Sequence, residues 1–281
     1  MKDDQLTPGR RLMLRTAAAL GLAATAGCVG ADRTADPAPL APSGGPAAGP
    51  PARSAMKPSA YRLQPMAGHG PPRSARALPR VRKAPILRMP GHDRSMVLTF
   101  DDGPDPAYTP HILRTLRAHD VRAMFFVCGE MAADHPDLLR EMADDGHLIG
   151  NHTWSHPLLP KLSRARTRAQ IERTCEVIED VTGEPPEWFR APYGAWNRNT
   201  FQLGAELGME PLAWTVDTLD WTEPGAATIV RRVRAGAAPG VVVLSHDAGG
   251  DRSGSVLALR TYLPELLDSG YRITVPGRHM V

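Results

Sequence analysis

From His92 onward the chain alternates short apolar runs with amphipathic ones, a rhythm that few folds accommodate. The pattern predicts strands over Met96–Phe100, Ala123–Cys128, His147–Gly150, Pro211–Val216 and Gly240–Ser245, with shorter extended pieces at Trp188–Arg190 and Tyr271–Thr274. Between them it predicts helices over Pro110–His119, Pro136–Asp145, Arg164–Val181, Asn197–Leu207, Ala226–Ala235 and Val256–Ser269. The third of these stops where Gly183 and Pro185 end the apolar period. Strands joined through helices run parallel, so the fold class is α/β. In such sheets chemistry gathers at the C-terminal ends of the strands. Asp101, His152, Arg190, Asp217 and His246 each follow a strand-like run, an agreement that polar residues chosen at random would seldom show.

The most informative of those ends is Thr99-Phe100-Asp101-Asp102-Gly103-Pro104. Consecutive side chains on a strand point to opposite faces. Two adjacent aspartates share one pocket only where the strand ends and the backbone turns, and Gly103 and Pro104 supply that turn. Carboxylates so placed can divide labour, one holding a metal and one moving a proton. Taken alone the string reads first as a solvated Asx turn, a preference that the rest of the chain reverses. About fifty residues on, Gly150-Asn151-His152-Thr153-Trp154-Ser155-His156-Pro157 presents two histidines four apart, a spacing that lets both imidazoles reach one ion. The residue after the first histidine is Thr153 rather than the Glu of a zincin protease. A hydrolase built here must take its base from elsewhere, and Asp101 or Asp102 is the obvious source.

Charge is spread unevenly. The 281 residues carry a net +3, yet residues 1–94 hold 15 Lys and Arg against 5 Asp and Glu, an excess of ten positive charges, while the rest holds 18 against 25. A basic leader and linker thus precede an acidic folded part, which argues against nucleic-acid binding and for a tether near an anionic membrane or wall. Gly9-Arg10-Arg11-Leu12-Met13-Leu14-Arg15 resembles a twin-arginine export signal. The apolar stretch that follows, Thr16 to Ala26, is too short to span a bilayer. Thr25-Ala26-Gly27-Cys28 resembles a bacterial lipobox, with Cys28 the lipidated residue; the alternative is ordinary cleavage and a secreted protein. Residues 37–90 contain 13 prolines with many Ala, Gly and Arg, the composition of a disordered linker that gives reach of roughly 5–6 Å × √n. The expected organisation is 1–28 signal segment, 29–91 linker and 92–281 catalytic domain. Cys128 and Cys175 are left as either one disulfide or two free thiols.

Thr99–Pro104, His152–His156, Arg190-Ala191-Pro192-Tyr193, Asp217–Trp221 and Leu244-Ser245-His246 together resemble the five ordered motifs of the polysaccharide deacetylase family, the NodB-type domain of carbohydrate esterase family 4. The resemblance covers about residues 92–276. It implies a distorted (β/α) barrel with about seven strands, a divalent metal (zinc, with cobalt or manganese as alternatives) and hydrolysis of N- or O-acetyl groups on glycans. It implies Asp102, His152 and His156 as metal ligands, Asp101 as base with Arg190 as its partner, the backbone N–H of Tyr193 as oxyanion donor, and His246 as acid oriented by Asp220. It also implies Trp221 and Leu244 as an apolar slot for the acetyl methyl, with Tyr193 beside it.

Three ligands with an open position is the catalytic rather than the structural arrangement. Asp217 competes with Asp220 for the partner role. Asp247 is read as a support for its neighbour or as a helix cap. Trp154 and Trp196 are read as packing, with sugar stacking the alternative, and Trp214 as core. The expected partner is an acetylated glycan. A tethered, exported monomer on the membrane, facing the wall, most simply meets peptidoglycan; chitin oligomers, acetylxylan and a non-catalytic glycan-binding role are the alternatives.

Overall fold

A computed structural model describes residues 77–90 and 93–277. The leader, Cys28 and the linker as far as residue 76 lie outside the described residues. Among the described residues eight strands are seen: β1 (Ser95–Asp101), β2 (Met124–Val127), β3 (Leu148–Asn151), β4 (Trp188–Phe189), β5 (Glu210–Pro211), β6 (Val216–Asp217), β7 (Val242–His246) and β8 (Arg272–Ile273). Seven α-helices are interleaved: α1 (Thr109–Ala118), α2 (Gly129–Asp134), α3 (Pro136–Asp144), α4 (Arg164–Thr182), α5 (Arg198–Glu206), α6 (Ala226–Gly236) and α7 (Ser253–Asp268). No helix among the described residues is long and apolar enough to cross a membrane.

Seven strands lie in the order β5-β4-β3-β2-β1-β7-β6, all pairings parallel, and β8 adds to the start of β1. The sheet curls into a half-barrel, and period-two alternation divides its side chains between two cores. Met96, Leu98 and Phe100 of β1, Phe125 and Val127 of β2, and Val243 of β7 pack outward against the helices. Val97, Met124, Phe126, Trp188 and Val242 fill the interior. By the same alternation Thr99 and Asp101, Arg190 just beyond β4, and Leu244 and His246 fall on the interior side. Helix ends and caps agree with local chemistry. Ser163 caps α4 by accepting the Arg166 N–H, Gly183 ends that helix with φ +79°, and Asn197 and Thr200 form a reciprocal capping pair on α5.

Three expectations are corrected. The single strand expected over 211–216 is two, and they lie at opposite edges of the sheet. Only residues 212–215 separate β5 from β6, and an extended chain covers at most about 3.3–3.6 Å per residue. The two edges must therefore approach closely, and this short crossing is what forces the sheet to curl. Local apolarity could not reveal it, because a strand and a buried crossing look alike in sequence. The linker expected as far as residue 91 ends earlier. Ile86 bridges Leu212 and Arg88 bridges Val241, with Ile86 N–H donating to Pro211 and Met89 N–H to Gly240. Arg82 pairs with the buried Glu210 at 2.5 Å. This proline-rich strap runs across the opening between the β5 edge and β7, where the sheet leaves backbone groups to be satisfied. Finally, α2 was not expected, since six residues are too few for an amphipathic period to show.

Candidate active site

The ends of β1, β3, β4 and β7 meet over the barrel interior. Asp101 closes β1 on the interior face and is buried. Asp102 follows with φ +80°, and this left-handed residue breaks the alternation so that both carboxylates reach one pocket. The Arg190 guanidinium, fully buried, donates to Asp101 Oδ1 at 2.6 Å, to Thr99 Oγ1 at 2.8 Å, and to the carbonyls of Leu212 (3.1 Å) and Ala213 (3.0 Å). It also stacks over the Phe126 ring, 4.0 Å from its centroid. Burial pushes Asp101 above the usual carboxylate range, and the Arg190 charge and hydrogen bond pull it only part of the way back.

His152 Nδ1 lies 2.8 Å from the Arg190 carbonyl. A carbonyl only accepts, so Nδ1 carries the hydrogen and Nε2 presents a lone pair. Burial drives the His152 pKa down to about 3, so the ring is neutral and its 3.6 Å approaches to Asp101 Oδ2 and Asp102 Oδ1 are not ion pairs. His156 Nε2 lies 3.4 Å from the same Asp102 Oδ1, an oxygen that is buried with no hydrogen-bond partner. One ligand atom from each of Asp102, His152 and His156 falls within 4.8 Å of the others. The lone pair of His152 Nε2, the His156 ring and an orphaned buried oxygen of Asp102 converge on one point, a donor set that fits a divalent cation.

The loop carrying the histidines is held rigidly. Asn151 is buried, donates to the Ile171 carbonyl at 2.8 Å and accepts the Thr153 N–H at 2.8 Å. Thr153 and His156 take φ +71° and +54°, strain that persists only where surroundings over-determine it. The Gly129 and Glu130 N–H groups at the start of α2 donate to the Thr153 and Trp154 carbonyls. The unexpected short helix thus anchors this loop.

Across the sheet, His246 is the register partner of Asp101 on the neighbouring strand. Its Nδ1 lies 2.6 Å from Asp220 Oδ1, and its N–H donates to Asp220 Oδ2 at 2.8 Å, an oxygen that also accepts the Ser255 hydroxyl. Burial alone would lower the His246 pKa, but the hydrogen bond and charge of Asp220, with the charges of Asp101 and Asp102, raise it to about 9. Asp217 instead accepts the Leu219 N–H at 2.8 Å in a local turn, which settles the partner as Asp220. Tyr193 sits at the rim, 66% exposed with φ +61°, its ring edge-on to His156. Trp221 is also exposed, whereas Leu244 is buried on β7 beside Thr99.

Trp154 is sandwiched between the Arg173 guanidinium, 3.4 Å from its ring centroid, and Gly129. Trp196 stacks on Phe201 with centroids 5.2 Å apart. Both are packing. Trp214 is half-buried against the interior core and 5.6 Å from the Arg190 guanidinium carbon. Cys128 and Cys175 are both free thiols. Sequence reasoning missed the role of Asn151, whose one legible signal was its place directly before the first histidine.

A family model described as polysaccharide deacetylase matches residues 88–212. That span includes both aspartates, both histidines and Arg190, and stops short of Asp220 and His246. The chain is 41% identical over 190 residues to a peptidoglycan-N-acetylglucosamine deacetylase of Bacillus cereus, covering 67% of this chain and 69% of that one. It is 36% identical over 204 residues to a chitooligosaccharide deacetylase of Rhizobium leguminosarum bv. trifolii, covering 69% of this chain and 95% of that one. A crystal structure of a peptidoglycan N-acetylglucosamine deacetylase, in complex with an N-hydroxybenzamide, superposes with a TM-score of 0.65 at 40% identity, over 67% of this chain and 88% of that one. On fold, site and relatives together, the chain belongs to the polysaccharide deacetylase family.

Proposed function

We propose that the protein removes N-acetyl groups from the amino sugars of peptidoglycan by metal-assisted hydrolysis. The observation that carries the reading is the pairing of a cation cradle (Asp102, His152, His156) with an acid and a base on register-matched neighbouring strands. One carboxylate and two imidazoles suit zinc. Bound there, the cation would polarise the acetyl carbonyl and acidify a water molecule.

The chain's own groups supply the rest. Asp101 takes the proton of the attacking water, a task that its pKa, raised by burial, favours. Arg190 holds it ionised and aimed. The Tyr193 N–H meets the developing oxyanion, since Pro192 has no N–H to offer. His246, protonated through its contact with Asp220, gives its proton to the departing amine. Trp221, Leu244 and Tyr193 frame the acetyl group. A purely glycan-binding role would not require a complete set of such groups.

The peptidoglycan preference draws on the relatives and on the leader. Export through the twin arginines and a lipid anchor at Cys28 would keep the monomeric enzyme beside the wall. The test is acetate release by the purified chain, with and without chelator, on peptidoglycan, chitin oligomers and acetylxylan in parallel. Metal-dependent release greatest from peptidoglycan supports the reading. Release confined to chitin oligomers moves the substrate, and none from any glycan refutes the catalytic reading.

A further inference from the structure

Asp247 is fully buried, and it does not cap α7, which starts six residues later. Its main-chain N–H donates to the Asp101 carbonyl at 3.1 Å. Its Oδ1 accepts the Gly103 N–H, also at 3.1 Å. Those two bonds grip the chain on either side of Asp102, the residue held at φ +80°. Oδ2 accepts the Thr109 hydroxyl at 2.5 Å, and the same hydroxyl oxygen accepts the Asp105 N–H at 2.8 Å. The carboxylate therefore ties Gly103 to Thr109, while the main chain of the same residue holds Asp101.

Two residues on, Gly249 has φ +79°, and a Cβ there would lie 2.8 Å from Asp102 Oδ2. The segment after β7 thus forms a socket with two walls. Asp247 fixes the backbone of Asp102, and Gly249 leaves room for its carboxylate. A non-glycine residue keeps a left-handed backbone only where its surroundings over-determine it, and a metal ligand held by hydrogen bonds needs less ordering when the ion arrives.

We propose that Asp247 and Gly249 are positioning residues that seat Asp102 as a metal ligand, so that metal affinity depends on two residues that touch neither metal nor substrate. This rests on the reading of Asp102, His152 and His156 as the metal site. The socket also couples the two halves of the centre, because Asp247 directly follows His246.

The test is the zinc dissociation constant of the full chain, measured by competition with a chromogenic chelator, for wild type, Asp247→Ala, Asp247→Asn, Gly249→Ala and the control His152→Ala. Near-UV circular dichroism of the metal-free proteins reports the fold. Asp247→Ala and Gly249→Ala should weaken zinc binding about ten- to a hundredfold, the usual effect of removing a partner behind a ligand, with the aromatic spectrum unchanged. Asp247→Asn keeps an acceptor for the Gly103 N–H and should fall between wild type and Asp247→Ala. A merely structural role would lower the unfolding midpoint and leave the zinc affinity of the folded protein alone. Zinc binding within about threefold of wild type in folded Gly249→Ala and Asp247→Ala overturns the proposal; should Asp247→Ala not fold, Gly249→Ala decides. If wild type binds zinc no better than His152→Ala, the metal-site reading itself fails and takes the socket with it, a different pattern from the first.

Discussion

Replacing Arg190 with Met tests the electrostatic centre of the molecule. The guanidinium is fully buried and donates to one carboxylate, one hydroxyl and two carbonyls. Methionine keeps most of the volume and removes every donor. Breaking a buried ion pair from one side costs about 3–5 kcal/mol, because the remaining charge has no partner. The orphaned carbonyls of Leu212 and Ala213 would add about 1–3 kcal/mol each if nothing relaxed, while Asp101 limits its own penalty by taking up a proton. The net expectation is about 4 kcal/mol, a large share of the 5–15 kcal/mol typical of a folded domain. Urea unfolding of the metal-free protein should show a midpoint lowered by more than about 1 M at unchanged slope. Adding Asp101→Asn removes the stranded charge, so the double variant should be more stable than the sum of the single losses predicts, by about 0.5–3 kcal/mol. The pH dependence has a definite sign. An acid whose folded pKa exceeds its unfolded value binds its proton more tightly when folded, so stability falls as pH rises through that window. Losing Arg190 raises the Asp101 pKa further, and the variant should regain stability as pH is lowered toward the unfolded value near 3.8. A loss under about 1 kcal/mol, the size of a surface pair, or strict additivity in the double variant, would refute the reasoning.

Asp101→Asn should retain metal yet lose about two to four orders of magnitude in kcat, whereas Asp102→Asn should lose metal; equal metal content in the two would show that the division of labour is wrong. His246, raised to about 9 by Asp220, contributes stability that is complete below its unfolded value near 6.5 and is lost as pH rises through about 9. Asp220→Asn should flatten that slope in unfolding titrations and move the alkaline limb of kcat/KM to lower pH, and an unchanged profile would remove the pair from the mechanism. A chain begun at His92 lacks the strap, leaving Glu210 buried without Arg82 and Ile86 absent from the barrel interior. It should unfold at least about 10 °C below a chain begun at Ala77, taking 2–4 °C per kcal/mol for a domain of this size, and equal melting temperatures would show that the strap is ornamental.

Much of this was legible in the sequence, for reasons that are local. Alternating runs fix strands and helices because periods of two and 3.6 residues are properties of the backbone. Parallel order follows from the helical returns, and the strand ends mark the chemistry. Asp101-Asp102 before Gly103-Pro104 was legible as two carboxylates turned into one pocket once the histidine pair and the other strand ends were set beside it, since alone the string suits a solvated Asx turn. Tertiary structure decided what depends on residues far apart in the chain. The run from Pro211 to Val216 became two edge strands because only the curled sheet shows that its ends are neighbours. The proline-rich strap folded because a gap between sheet edges offered it partners, which composition cannot report. Asp220 prevailed over Asp217 through the approach of β7, and Asp247 acquired its purpose from Gly103 and Thr109, more than a hundred residues earlier. Sequence specifies which groups can act; the packing of distant strands decides which of them meet.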